Sequence, residues 1–310
     1  MSLLISFTSL SEENTSTNKK LPKADFLQNR LNTMMQNTAS WLDGIGDGSH
    51  GEKSQHVNSK EVNSNDSNMA SANGYLQLSW LPRTANLVDV DANFKVALNL
   101  PQWNERLALV IDNDDEDELL LDYESNYLNN NQSGVNVAFQ YIKQFNQQRQ
   151  VKNRIGISRK QLYLRSEIQF NWLVQQINFK LQPRLDYFLQ DGWGPGVKAV
   201  ATYPLEQSYF SLSASWQKIQ SEARSRRKIG FYHIKPTGKN QLFVSGVQYI
   251  KSNNKEDISN ESYYISVRYR NLIYKSWMYF EVEPFIEFNQ LNDFRREAGI
   301  ALSLISYYGN

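Results

Sequence analysis

Nine charged residues sit on the polar phase of alternating segments in the second half of the chain: Arg165, Glu167, Lys180, Arg184, Arg268, Arg270, Glu281, Glu283 and Glu287. Within each segment they are two or four positions apart, which places them on one side of an extended strand. Acids and bases on adjacent strands, such as 260–270 and 274–288, can pair with one another. Rings of charge around a wet bore can instead select among ions. Both readings stay open: a lined passage, or ion pairs that fill and rigidify a narrow interior.

Other chemistry is sparse. Three histidines occur, His50 and His56 in a polar stretch and His233 in an alternating one. A barrel hydrolase needs a serine–histidine pair oriented by an acid or amide. His233 has no such motif around it, so a structural or lumen-lining role is the expectation and no enzymatic activity is assigned. The acidic run Asp112–Glu118 offers carboxylate oxygens that suit hard cations and can bridge lipopolysaccharide. It lacks the glycine and spaced acids of a defined calcium loop, so a solvated acidic loop is the default. The sequence calls for no cofactor.

The elements that position these residues follow from one repeated pattern. Residues 176–187 alternate without a break, with Ile177, Phe179, Leu181, Pro183, Leu185 and Tyr187 on one face and Gln176, Asn178, Lys180, Gln182, Arg184 and Asp186 on the other. The pattern returns from about residue 74 to the end. It predicts about 14 strands, or 12 if 151–158 is not separate; barrel strands come in even numbers. Turns are expected at 101–104, 204–206, 235–238 and 271–273, and longer loops at 113–133, 190–196, 218–224 and 251–259. Short turns at one end and long loops at the other are the habit of outer-membrane barrels. The tight junction at Arg159–Lys160 falls on the long-loop side and breaks the habit.

Ahead of the strands, residues 1–20 read as a signal remnant or a disordered terminus. Residues 21–43 carry Leu27, Leu31, Met34, Met35, Trp41 and Leu42 at helical spacing, with Pro22 at the start and Gly44 beyond the end. Residues 44–73, rich in Gly, Ser and Asn, read as a disordered linker to a barrel over 74–310.

Composition bounds the class. A net charge of +1 gives no electrostatic case for nucleic acid. No run approaches the ~18 apolar residues of a spanning helix, a limit that does not touch barrels because only alternate residues meet lipid. A soluble barrel would turn its apolar face inward. At about 14 strands that lining leaves a dry void too wide for side chains to fill. Strand lengths and terminal Tyr and Trp match the spanning length and aromatic girdles of membrane barrels.

Three C-terminal stretches carry a resemblance: Val267-Arg268-Tyr269-Arg270, Trp277 to Pro284 with its Trp-x-x-x-Glu-x-x-Pro spacing, and Gly299-Ile300-Ala301-Leu302-Ser303-Leu304 followed by Tyr308-Gly309. Leu100-Pro101 with Arg106-Leu107, and Trp41-Leu42-Asp43, extend it toward the N-terminus. The chain resembles a family of proteobacterial outer-membrane barrel proteins to which no reaction is assigned. The resemblance implies insertion by the barrel-assembly machinery, which reads a terminal amphipathic strand; here the end is Tyr307-Tyr308-Gly309-Asn310 rather than a terminal Phe.

The expectation is therefore an all-β transmembrane antiparallel barrel in the outer membrane of a Gram-negative bacterium, in contact with outer-membrane lipid and lipopolysaccharide. It is a passive pore for small polar solutes, or else a closed structural or assembly-partner barrel, with a barrel hydrolase as the least favoured alternative. Nothing in the sequence sets its oligomeric state.

Overall fold

The computed structural model describes residues 32–33, 70–84, 87–101, 106–113, 124, 134–146, 148–158, 161–221, 225–238, 240–253 and 259–309. The expected terminus at 1–20 and most of the helix at 21–43 and linker at 44–73 lie outside them. Fourteen antiparallel strands follow in chain order: β1 (Ser71–Trp80), β2 (Val90–Asn99), β3 (Leu107–Asp112), β4 (Asn136–Asn146), β5 (Arg149–Ser158), β6 (Gln161–Val174), β7 (Ile177–Phe188), β8 (Gly192–Pro204), β9 (Tyr209–Lys218), β10 (Ser225–Gly238), β11 (Gln241–Asn253), β12 (Ser259–Tyr274), β13 (Met278–Asn289) and β14 (Arg296–Tyr308). Each pairs with its sequence neighbours, and β1 pairs with β14 from Gly74↔Tyr308 to Trp80↔Leu302, so the barrel closes with no edge. Closure leaves no strand with an unpaired edge, the condition for spanning hydrocarbon.

The two chemical faces point as the alternation requires. Leu185 is 45% exposed and Phe231 50% on the outer wall, whereas Lys198 and Glu283 on the inner wall are 1% and 0%. Burial alternates residue by residue from Arg184 to Phe188 on β7 and from Arg227 to Ile234 on β10. Small residues let aromatics lie flat against the wall. A Cβ on Gly299 would come within 2.4 Å of the Phe285 ring, and one on Gly246 within 2.5 Å of Tyr232.

Three expectations about turns change. The loop expected at 190–196 shrinks to its first residues: Trp193, Gly194, Pro195 and Gly196 belong to β8, in register with Tyr187, Asp186, Leu185 and Arg184. The glycines there clear space for inward side chains, since a Cβ at Gly194 would sit 3.2 Å from Asp186 Cβ. Pro236-Thr237-Gly238 lies inside β10, with an irregular register between Pro236 and Gly238, and the chain turns at 239–240 instead. The turn expected at 271–273 moves to 275–277, because β12 runs on to Tyr274. Residues 149–158 form a separate strand, which gives 14 rather than 12. The first strand also begins three residues before 74, with Ser71 in register with Asn99.

Connections at one end are 81–89, 113–135, 159–160, 189–191, 219–224, 254–258 and 290–295; those at the other are 100–106, 147–148, 175–176, 205–208, 239–240 and 275–277. The junction at 159–160 is thus a tight hairpin on the longer-loop end. The parity holds without it being long.

Candidate functional site

All nine charged residues singled out in the sequence face inward, and they gather in two groups on opposite sides of the barrel. On β5, β6 and β7 the register sets Lys152 opposite Glu167, Arg154 opposite Arg165, Arg165 opposite Asp186, and Glu167 opposite Arg184. Asp186 holds two arginines at once: Arg165 Nε lies 2.6 Å from Oδ1 and Arg184 Nε 3.1 Å from Oδ2. Arg154 Nε donates to Gln140 Oε1 at 2.7 Å, and Gln182 Nε2 to Glu167 Oε1 at 3.3 Å. Lys152 also lies within electrostatic reach of Arg154, Arg165 and Lys95. Like charges set across from one another cost stability. Here they gather in a basic strip.

The second group is charge-balanced and tightly paired. Arg268 Nε and Nη2 both reach Glu283 Oε2 at 2.8 Å, and Tyr264 donates its hydroxyl to Glu283 Oε1 at 3.3 Å. Arg270 Nε donates to Glu281 Oε2 at 2.8 Å, and Arg268 Nε lies 3.4 Å from Glu281 Oε1. Glu287 pairs with Arg83, whose Nη1 is 3.2 Å from Oε2. The pairing expected between 260–270 and 274–288 is thus present. Buried ions of this kind are held only because each finds several partners.

A third cluster had no counterpart in the sequence reading. Glu124, from the long β3–β4 connection, is buried against the inner wall. Its Oε2 lies 3.2 Å from Lys198 Nζ on β8 and 3.1 Å from Lys228 Nζ on β10, while Ser213 Oγ on β9 donates to Oε1 at 2.7 Å. Burial alone would raise this carboxyl. The ammonium groups of Lys228 and Lys198, with hydrogen bonds from Ser213 and Lys228, outweigh it and hold the group below the ordinary carboxylate range. Lys198 and Lys228 sit on the polar phase of legible strands, but Glu124 lies in a segment without periodicity. No sequence signal marked it.

The interior is divided by exposure. On β9 to β12 inward Ser211, Ser213, Tyr232, Gln248 and Tyr264 are buried. Along β1, β2 and β5 to β7, inward Gln77, Asn93, Lys95, Lys152, Glu167, Gln169, Lys180 and Gln182 remain part-exposed. Polar side chains there line accessible space. With Asp91 on the same inward phase of β2, also part-exposed, three cations face two acids there.

The remaining candidates fall elsewhere. His233 faces outward, its ring 5.0 Å from that of Phe210, so the lumen-lining alternative for it is set aside. His50 and His56 lie outside the described residues. Asp112, expected in a solvated loop, turns inward at the end of β3, is 2% exposed and accepts from Asn136 Nδ2 at 3.1 Å. It is the last inward position of its strand, which explains the difference; residues 114–118 lie outside the described ones. No group of three metal-ligating side chains occurs among the described residues.

No protein-family model matches the chain, and no curated protein matches it in sequence. Among solved structures it is similar to a loop-deletion form of OmpT, an outer membrane protein of Vibrio cholerae, at 9% identity over 78% of this chain and 100% of that one, with a TM-score of 0.53. In-vitro folded OmpT gives 8% identity over 80% and 100%, with a TM-score of 0.52. The outer membrane channel DcaP of Acinetobacter baumannii gives 8% over 77% and 97%, with a TM-score of 0.49. At these identities the likeness to the OmpT structures is one of fold. The chain has the porin-like, closed antiparallel architecture of Gram-negative outer-membrane β-barrels.

Proposed function

We propose that the protein resides in the outer membrane as a passive pore for small polar solutes, with a preference for anions. It belongs on this reading with the proteobacterial barrels it resembles, is inserted by the barrel-assembly machinery, and has its short-turn end in the periplasm. The observation that carries the reading is the part-exposed inner strip of Lys95, Lys152 and Lys180, backed by Arg154 and Arg165 and opposed there by Asp91, Asp112 and Glu167. A wet wall with a surplus of cations concentrates anions and lowers their entry barrier.

Planar-bilayer recording of the full chain tests this directly. A current whose reversal potential in a salt gradient indicates anions is expected, and Lys152→Glu with Lys180→Glu moves the preference to cations. Absence of current both from the full chain and after removal of residues 1–69 overturns the pore reading. A second reading, a barrel closed in its resting state, is favoured by Glu124 docked across β8, β9 and β10. On that reading current appears only in Glu124→Ala. Catalysis has no place in either account: lipid and peptide hydrolysis at background levels, unchanged by His233→Ala, is the expected result.

A further inference from the structure

The outer wall carries a row of charge where a membrane barrel should turn from apolar to polar. Trp216 on β9, Arg227 on β10, Lys251 on β11 and Glu261 on β12 are in direct register, one beside the next around the barrel. All four share the outward phase with Leu212, Ile229, Phe231 and Val247. Lys218 stands one step further out on β9, at the level of Ser225. Lys251 Nζ reaches Glu261 Oε1 at 2.6 Å. Among the described residues no carboxylate pairs with Arg227 or Lys218, and both are exposed. The cluster therefore keeps a net positive charge.

Its level is set by the neighbouring rows. The next row toward mid-wall is Ile229, Tyr249 and Tyr263; the Tyr249 and Tyr263 rings meet at a tilt with centroids 5.1 Å apart, and Phe294 lies 6.1 Å from Tyr263. On β10 the outward phase then stays free of charge until Lys235. Eight residues at ~3.3 Å, tilted by ~40°, span about 20 Å of height, close to the apolar band of an outer-membrane barrel. The basic row thus stands where lipid phosphates lie, at the end bearing the longer loops.

We propose that Lys218, Arg227 and Lys251 bind the phosphate of a lipopolysaccharide headgroup, whose acyl chains run down over the Tyr249–Tyr263 row. This rests on the proposed membrane orientation, which puts that end in the outer leaflet. Adjacent strands lie ~4.8 Å apart, so Arg227 and Lys251 can grip one phosphate together. The guanidinium supplies a two-pronged donor and the ammonium a point charge. Trp216, beside Arg227, offers a ring against the sugar. No bond is made or broken.

The test uses the detergent-purified full chain. Intact lipopolysaccharide is expected to bind roughly tenfold or more tightly than the same lipid stripped of its phosphates by phosphatase, the loss of one or two charge-assisted hydrogen bonds. Lys218→Gln, Arg227→Gln and Lys251→Gln together should remove that preference, while Lys143→Gln, Arg149→Gln and Lys235→Gln at the other rim should not. Equal affinity for intact and dephosphorylated lipid, or equal affinity for phosphatidylglycerol, overturns the proposal. Heat-modifiable migration of wild type and variants reports separately on whether the barrel has formed. Conductance reports on the pore, so the two readings fail independently.

Discussion

Glu124→Ala is expected to release the β3–β4 connection from the inner wall and to raise single-channel conductance. The carboxylate is shared by two buried ammonium groups and a serine hydroxyl on three successive strands. Breaking a buried pair by removing one partner costs about 3–5 kcal/mol, because the charges left behind lose their compensation. Here that cost falls on docking rather than on the barrel, whose strand pairing does not involve Glu124. New protease cleavage within the connection, with an unchanged heat-modifiable band, is the corresponding biochemical result. Conductance and cleavage identical to wild type would show that Glu124 anchors nothing.

The same contact predicts a pH response. A carboxyl held below its unfolded value contributes stability that is complete above the ordinary carboxylate range and is lost as pH falls through the depressed value. Docking should therefore persist through mild acidity and fail only in strong acid. Glu124→Gln keeps the volume and an acceptor for Ser213 but removes the charge. Its conductance should lie between wild type and Glu124→Ala, without the acid transition.

The largest effect on the barrel itself is expected from Glu283→Ala. Glu283 is fully buried and accepts from Arg268 and Tyr264. Without it Arg268 must share Glu281, which already serves Arg270. A loss of about 3–5 kcal/mol is expected, read as a lower denaturant midpoint in lipid vesicles and earlier thermal loss of the compact band. Arg268→Met combined with Glu283→Leu should recover most of it, since well-packed apolar replacements of buried pairs are often neutral or stabilising. A single variant as stable as wild type would mean that water, not Glu283, solvates Arg268.

What could be read in advance was what a two-residue period carries. The alternation in 176–187 placed Lys180 and Arg184 inward and Phe179 and Leu181 outward, and the strand keeps that phase through Asp186. Pairing between Arg268, Arg270, Glu281 and Glu283 followed from adjacent strands of matching phase. Gly192 to Gly196 misled because glycine has two uses. It makes turns, and it also clears wall space for large neighbours such as Arg184 and Asp186. Trp277 and Tyr274 show the reverse, sitting at a turn that their strand-forming character hid. Glu124 was invisible because no local pattern ties a residue in a long connection to lysines 74 and 104 positions away.

The phase of the wall carries the whole account, and a chain without cysteine is suited to measuring it. Single cysteines placed in turn at Phe179, Lys180, Leu181, Gln182 and Leu185 can be probed in the vesicle-inserted protein. Fluorophores at Phe179, Leu181 and Leu185 should be quenched by brominated lipid, while Lys180 and Gln182 should react with a charged, water-soluble thiol reagent and escape quenching. Quenching at Lys180 and Gln182 with aqueous reactivity at Phe179 and Leu181 would contradict it.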